Sequence, residues 1–235
     1  MTLNFAMPSK GRLADQSKEW LLSRGIRIIN PASGRGYSGK LTGALHAELL
    51  LLSASEIPGK LADGDVHLAI TGMDLVRESV PQWQSRVREV ALLGFGDADL
   101  VISVPKFWID AQSLDDLDSI AAQFRRNHGR RLRIATKYTA LVHDFLSRAG
   151  VADYQLVYSR GATEGSVSNN FADAIADLVS TGATLDANEL KPLPGGVVLR
   201  SQAALFQSRD ATVPTQCKAE LNKFLNSLKV GSAFI

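Results

Sequence analysis

The sequence predicts an α/β protein with mainly parallel sheets. Short apolar runs alternate with helix-like segments along the whole chain. No internal repeat, low-complexity tract or long polar linker interrupts that alternation. The 235 residues are 45% apolar and 21% charged, as in an ordinary globular protein of one large or two small domains.

Each element follows from its local pattern. Residues 3–7 read as a strand, and residues 12–24 as a helix ended by Gly25. Residues 48–52 and 66–71 are apolar enough to be buried strands, and 87–93 and 99–104 follow as further strands. Ser113 can cap a helix that runs to about Asn127. Residues 132–136 form a strand, and 139–149 a helix stopped by Gly150. Residues 154–158, 173–179 and 197–206 are strand-like. Pro214 then opens a last helix over 215–228, with apolar Ala219, Leu221, Phe224, Leu225 and Leu228 near helical spacing.

Two segments are candidate domain crossings. Gly94-Phe95-Gly96-Asp97 is glycine-rich between two strands, and residues 191–196 carry two prolines and two glycines. If the chain crosses at both, residues 96–190 form one domain, and 1–95 with 191–235 form the other.

Several classes of function are argued against. A formal net charge of +2 is too weak a bias for a nucleic acid or membrane partner. Cys217 is the single cysteine, and no Cys/His set has zinc-like spacing. The apolar run at 3–8 precedes Lys10 and Arg12 and is too short for a signal peptide. The longest apolar stretch, around 49–52, falls far short of a membrane span. The expectation is a cytoplasmic protein.

Four strand ends share one kind of turn. They are Pro8-Ser9-Lys10-Gly11-Arg12, Ile70-Thr71-Gly72, Ala135-Thr136-Lys137-Tyr138 and Val179-Ser180-Thr181-Gly182-Ala183-Thr184. Taken singly, each is an ordinary helix cap or turn. Together, with two lysines and Arg12, they place anion-binding groups where α/β sheets bind ligands, outside the carboxyl ends of strands. Two lie in the first part of the chain and two in the middle piece, so the expected site is a cleft lined from both domains.

The stretch from 172 to 185 is the most specific. An apolar strand carrying Asp173 and Asp177 breaks into a turn of hydroxyl residues and glycine. Glycine allows close backbone approach to a phosphate, successive amides form a nest for it, and Ser180, Thr181 and Thr184 add hydroxyls. Nearby carboxylates suit ribose hydroxyls or a metal ion. The plainer readings are an N-cap for Asp177 and a solvated edge residue for Asp173. Elsewhere, Arg35 lies in the glycine-rich loop Ser33-Gly34-Arg35-Gly36, which clamps a phosphate or is a solvated turn. Glu164 precedes the phosphate loop. His46, His67, His128 and His143 read as structural or surface residues, and Arg125, Arg126, Arg130, Arg131 and Arg133 as a solvated helix end.

Glu164, Asn170, Ala172, Ile175, Asp177-Leu178, Thr181-Gly182 and Thr184-Leu185 together resemble the signature of the ATP phosphoribosyltransferase family. Ser9-Lys10-Gly11-Arg12, Thr71-Gly72-Met73-Asp74 and Ala135-Thr136-Lys137-Tyr138 resemble its other motifs in order and spacing. Asn170 stands where the signature has glycine, and Glu189 where glycine is common. Asparagine tolerates positive φ better than most residues, so that turn is expected to survive.

The resemblance implies a two-domain fold like type II periplasmic binding proteins, with the chain crossing twice. It implies transfer of the phosphoribosyl group of phosphoribosyl pyrophosphate (PRPP) to N1 of ATP, with magnesium as cofactor. Residues 180–184, with Ser180, Thr181, Gly182, Ala183 and Thr184, would take the 5′-phosphate. Glu164 and Asp177 would face ribose hydroxyls or magnesium, and Lys10, Arg12 and Arg35 would neutralise pyrophosphate and ATP phosphates. Ser9, Gly72, Asp74 and Lys137 would lie near the nucleotide. Only 50 residues follow Leu185, which matches the family's short form. That form implies a homodimeric core joined by a regulatory subunit resembling histidyl-tRNA synthetase. The competing class is a non-catalytic anion-binding module of the same fold. A secreted one would need a signal peptide and a regulator a DNA-binding domain, and neither is expected in this sequence.

Overall fold

The computed structural model describes residues 2–29, 38–159 and 161–231, with the backbone alone over 229–231. The chain divides into two compact units, Met1–Gly96 with Gln202–Ile235, and Asp97–Ser201.

The first unit opens with strand β1 (Asn4–Pro8), helix α1 (Arg12–Ser23) and strands β2 (Ile26–Ile29), β3 (Ser38–Gly43) and β4 (Ala47–Leu52). Helix α2 (Ile57–Ala62), strand β5 (Leu68–Gly72), helices α3 (Met73–Ser79) and α4 (Trp83–Arg86) and strand β6 (Val87–Leu92) follow. The second unit holds β7 (Ala98–Pro105), α5 (Leu114–His128), β8 (Leu132–Thr136), α6 (Thr139–Arg148), β9 (Tyr154–Tyr158), β10 (Ala174–Val179), α7 (Ala183–Ala187) and β11 (Leu190–Ser201). The chain then returns with β12 (Ala203–Ser208) and α8 (Lys218–Gly231).

Among the described residues, the first unit's sheet has the order β2-β3-β4-β1-β5-β12-β6, and the second unit's β11-β7-β10-β8-β9. The expectation of mainly parallel sheets is corrected. Pairing is parallel only at β4-β1-β5 and at β10-β8-β9, and every other neighbour is antiparallel. The hairpin of β2 and β3 was not read from the sequence, and returning strands such as β12 enter antiparallel to their neighbours.

In the first unit, strand alternation feeds two cores. Phe5, Met7, Ile70 and Leu205 pack with Leu21 of α1 and with Leu221, Phe224, Leu225 and Leu228 of α8. Their neighbours Ala6, Ala69, Ala204 and Phe206 face Ile57 and Leu61 of α2 and Met73 and Val76 of α3. The last helix therefore seals the first unit. Burying each of its large apolar side chains contributes roughly 1.5–3 kcal/mol.

The expected second crossing near residues 191–196 is also corrected. Leu190–Ser201 is one strand paired with β7, and its register shifts between Pro192 and Val197. The proline and glycine cluster encodes a bulge in an edge strand, where a missing amide donor is tolerated. The strand-like run at 197–206 therefore splits between the two sheets, and the return to the first unit comes at Gln202. The Ser113 cap is as expected, its hydroxyl accepting from the Asp116 amide at 3.1 Å.

Candidate active site

In each unit the anticipated turns fall at the carboxyl ends of adjacent parallel strands. β1 and β5 are hydrogen-bonded neighbours, and so are β8 and β10.

In the second unit, Glu164, Asp177, Ser180, Thr181, Gly182 and Thr184 line one cavity of about 170 Å³, together with Ile175, Leu178, Val179 and Leu185. Ala183 opens α7 between two of these lining residues. β10 is buried at Ala174, Ile175 and Ala176 and turns half-buried from Asp177 onward, so it emerges from the core at the cavity. Asp177 Oδ1 accepts from its neighbour's amide, Leu178 N, at 2.9 Å. Gly182 has φ 79°, a left-handed conformation that glycine adopts without strain, and a Cβ there would meet nothing within 4 Å. The turn needs glycine for its backbone, and the space left open beside it is available to a ligand. Glu164 comes from a separate 3-10 turn, Thr163–Ser166. Lys137 is exposed after β8, and the Thr136 hydroxyl beside it is fully buried, accepting from the Tyr138 amide at 3.0 Å.

In the first unit, Lys10, Gly11 and Arg12 are exposed beyond β1 and Ser9 is half-buried. The Ser9 amide donates to Leu52 O at 2.8 Å, tying this turn to the end of β4. Gly72 and Asp74 are buried, and a Cβ at residue 72 would collide with the Asp74 carboxylate. Arg35 lies outside the described residues.

A further turn of the same kind, missed in the sequence reading, follows β4. Ser53 donates to Glu56 Oε2 through its amide at 3.1 Å and its hydroxyl at 2.7 Å. Those bonds from Ser53 hold the Glu56 carboxyl below its ordinary range. The spacing of Ser53 and Glu56 is a capping-box pattern that was visible in the sequence.

Two expectations about charged residues are corrected. Asp173 is not a solvated edge residue, because its side chain is only 10% exposed at the far end of β10 from the cavity. Arg130 grips it with bonds of 2.6 and 3.0 Å, and Arg133 adds its amide at 2.9 Å and its guanidinium at 3.0 and 3.2 Å. Burial pushes the Asp173 carboxyl up, but the bonds from Arg130 and Arg133 outweigh it and hold the group well below the usual carboxylate range. The arginine cluster is accordingly partly structural, with Arg125 also paired to Asp153. The histidines have structural partners. The buried His67 accepts from Asn4 N at Nδ1, while His46 pairs with Glu220 and His143 with Tyr154.

Among the described residues no group of three or more His, Cys, Asp or Glu side chains could by itself hold a metal ion. Glu164 and Asp177, which both line the cavity, are the two carboxylates there that could contribute to a metal ion, and a magnesium ion would need further oxygens from a phosphorylated substrate. No helix among the described residues is long and apolar enough to cross a membrane.

Comparison with known proteins bears on this arrangement. A family model described as HisG, ATP phosphoribosyltransferase, matches residues 53–230. The ATP phosphoribosyltransferase of Cereibacter sphaeroides is 56% identical over 211 residues, covering 90% of this chain and 89% of that one. That of Mesorhizobium japonicum is 49% identical over 210 residues, covering 89% and 90%. Among solved structures, an ATP phosphoribosyl transferase (HisG:HisZ) complex from Thermotoga maritima matches with a TM-score of 0.70 at 18% identity, covering 97% of this chain and 96% of that one. A histidine kinase sensor domain with similarity to periplasmic binding proteins matches with a TM-score of 0.55 at 13% identity, covering 99% and 90%. The fold is thus the two-domain α/β architecture of type II periplasmic binding proteins.

Proposed function

The chain belongs to the ATP phosphoribosyltransferase family, and from that premise we propose how its residues carry out the family's reaction. The reaction moves the 5-phosphoribosyl group of PRPP to N1 of ATP and releases pyrophosphate, the first step of histidine biosynthesis. The observation that carries the reading is the single cavity where the glycine turn at 180–184 meets the carboxylates of Glu164 and Asp177.

The amides and hydroxyls of Ser180, Thr181, Gly182, Ala183 and Thr184 receive the 5′-phosphate, which fixes one end of the sugar. Glu164 and Asp177 accept hydrogen bonds from the ribose hydroxyls and fix the other. The adenine N1 then attacks C1 from the face opposite the leaving group, with inversion. As the N1–C1 bond forms, the C1–O bond breaks and its electron pair leaves on pyrophosphate. Lys10, Arg12 and Arg35 stabilise that growing charge, and Ser9, Gly72, Asp74 and Lys137 belong to the nucleotide side. No protein nucleophile is needed, because holding the two substrates in line removes most of the entropic barrier. Glu164 or Asp177 would hold magnesium, which would supply further positive charge to the pyrophosphate.

The reading places the enzyme in the cytoplasm, as a homodimer joined by a regulatory subunit resembling histidyl-tRNA synthetase. The match to a HisG:HisZ complex supports a second protein of that kind. A non-catalytic anion-binding module is disfavoured, because the relatives at 56% and 49% identity are transferases by name. Pyrophosphate release is the test. It should require ATP, PRPP and magnesium together. Release from PRPP without ATP, or none with all three in the presence of the regulatory partner, would refute the reading.

A further inference from the structure

Glu164 lies on a short turn rather than on a strand, so its place over the cavity depends on what anchors that turn. We propose that Thr163 is a positioning residue for PRPP, its hydroxyl bond to Ser159 setting Glu164 against the ribose. The inference rests on the reading of Glu164 as a ribose-binding group.

The two sides of the turn are anchored differently. On the side leading to β10 backbone bonds anchor the turn, and Ser168 Oγ and Asn169 Nδ2 also donate to Gly165 O at 3.1 and 2.9 Å. Ser166 O accepts from the amides of Phe171 at 2.9 Å and Ala172 at 3.1 Å, and Gly165 O accepts from the Asn169 amide at 3.2 Å. On the side leading from β9, a side chain takes that part. Thr163 Oγ1 donates to Ser159 Oγ at 3.2 Å, and the Ser159 amide donates to Thr136 O at the end of β8, at 3.0 Å. Among the described residues this is the one side-chain hydrogen bond from residues 161–164 to the sheet edge.

Thr163 is fully buried, so it does not meet substrate itself. Its neighbour Glu164 is half-buried and lines the cavity. A hydroxyl in that position is more than filler, since valine would fill the same space. The chain Thr136–Ser159–Thr163 therefore carries the position of β8, the strand beside β10, into the carboxylate that faces the phosphate loop. Small errors in such placement are expensive in catalysis.

The test uses Thr163→Val, which keeps shape and loses the bond, Thr163→Ser, which keeps the bond, and Ser159→Ala, which removes it from the other end. Calorimetric PRPP affinity and steady-state constants are measured for each, alone and with Glu164→Gln. Loss of one neutral hydrogen bond predicts PRPP affinity about 3- to 10-fold weaker in Thr163→Val and Ser159→Ala. KM for ATP should be unchanged, and Thr163→Ser should be within about twofold of the wild type. In the Glu164→Gln background, Thr163→Val should add no further loss, because the residue acts through that carboxylate. Equal effects on ATP and PRPP, or an undiminished penalty in the Glu164→Gln background, would overturn the proposal. Calorimetry reads PRPP affinity whether or not transfer occurs. Wild-type protein that binds PRPP and never transfers it would therefore count against the enzymatic reading and not against this one.

Discussion

Gly72 lacks a side chain for a local reason: the Asp74 carboxylate occupies the place a Cβ would take. Asn170 and Glu189 are the opposite case. They stand where the resemblance to the family signature leads one to expect glycine, and both adopt left-handed backbone, with φ 59° and 53°. Asparagine accommodates that conformation through its short polar side chain, whereas glutamate bears the full steric cost. Glu189→Gly should therefore stabilise the protein by about 0.5–1 kcal/mol, the relief of strain being partly offset by the greater freedom of glycine in the unfolded chain. A chemical denaturation midpoint that falls instead of rising would contradict this. Arg12 is exposed beyond β1, free to meet a charged substrate. Because pyrophosphate gains charge as it leaves, Arg12→Ala should lower kcat by about 10²–10³ while weakening ATP binding much less. Steady-state kinetics within twofold of wild type would remove Arg12 from the mechanism.

Strand β10 joins two jobs, with Asp177 at the cavity and Asp173 just before its opposite end, clamped by Arg130 and Arg133. The Asp173 carboxyl is held below its unfolded value, so its stabilising effect is complete above about pH 4 and is lost as pH falls through the folded value. Asp173→Asn should cost about 1.5–3 kcal/mol at neutral pH, the worth of hydrogen bonds to a charged group whose arginine partners reach solvent, and the deficit should shrink as the pH falls below about 4. A difference between the two proteins that is constant with pH would show that the charge is not what the clamp uses. The sequence disclosed these elements unevenly. The turns after β1, β5, β8 and β10 were legible because hydroxyl residues and glycine directly follow apolar runs. That each pair would lie on neighbouring parallel strands was not, since strand order depends on long-range pairing. The prolines and glycines at 192–196 resembled a linker, because a bulge and a linker draw on the same residues and differ only in whether β7 is alongside. The pairing of Asp173 with Arg130 and Arg133 bridges residues far apart in sequence, and no local pattern records it.

At the scale of the whole molecule, the last helix spends Leu221, Phe224, Leu225 and Leu228 on the first unit's core. The regulatory reading follows from the proposed second subunit. Histidine should leave turnover by this chain alone unaffected at concentrations that inhibit the complex. Strong saturable inhibition of the purified single protein would place the regulatory site within these 235 residues instead. The central claim is that the turn at 180–184 grips the phosphoribosyl group during transfer, and Gly182→Val tests it most directly. Valine there is strained at φ 79° and fills the open space beside the turn. With ATP, PRPP and magnesium, the wild-type protein should produce the ultraviolet absorbance of the adduct. Gly182→Val, folded by circular dichroism, should produce none and should show no PRPP binding by calorimetry. Wild-type affinity for PRPP and wild-type turnover in that variant would contradict the account.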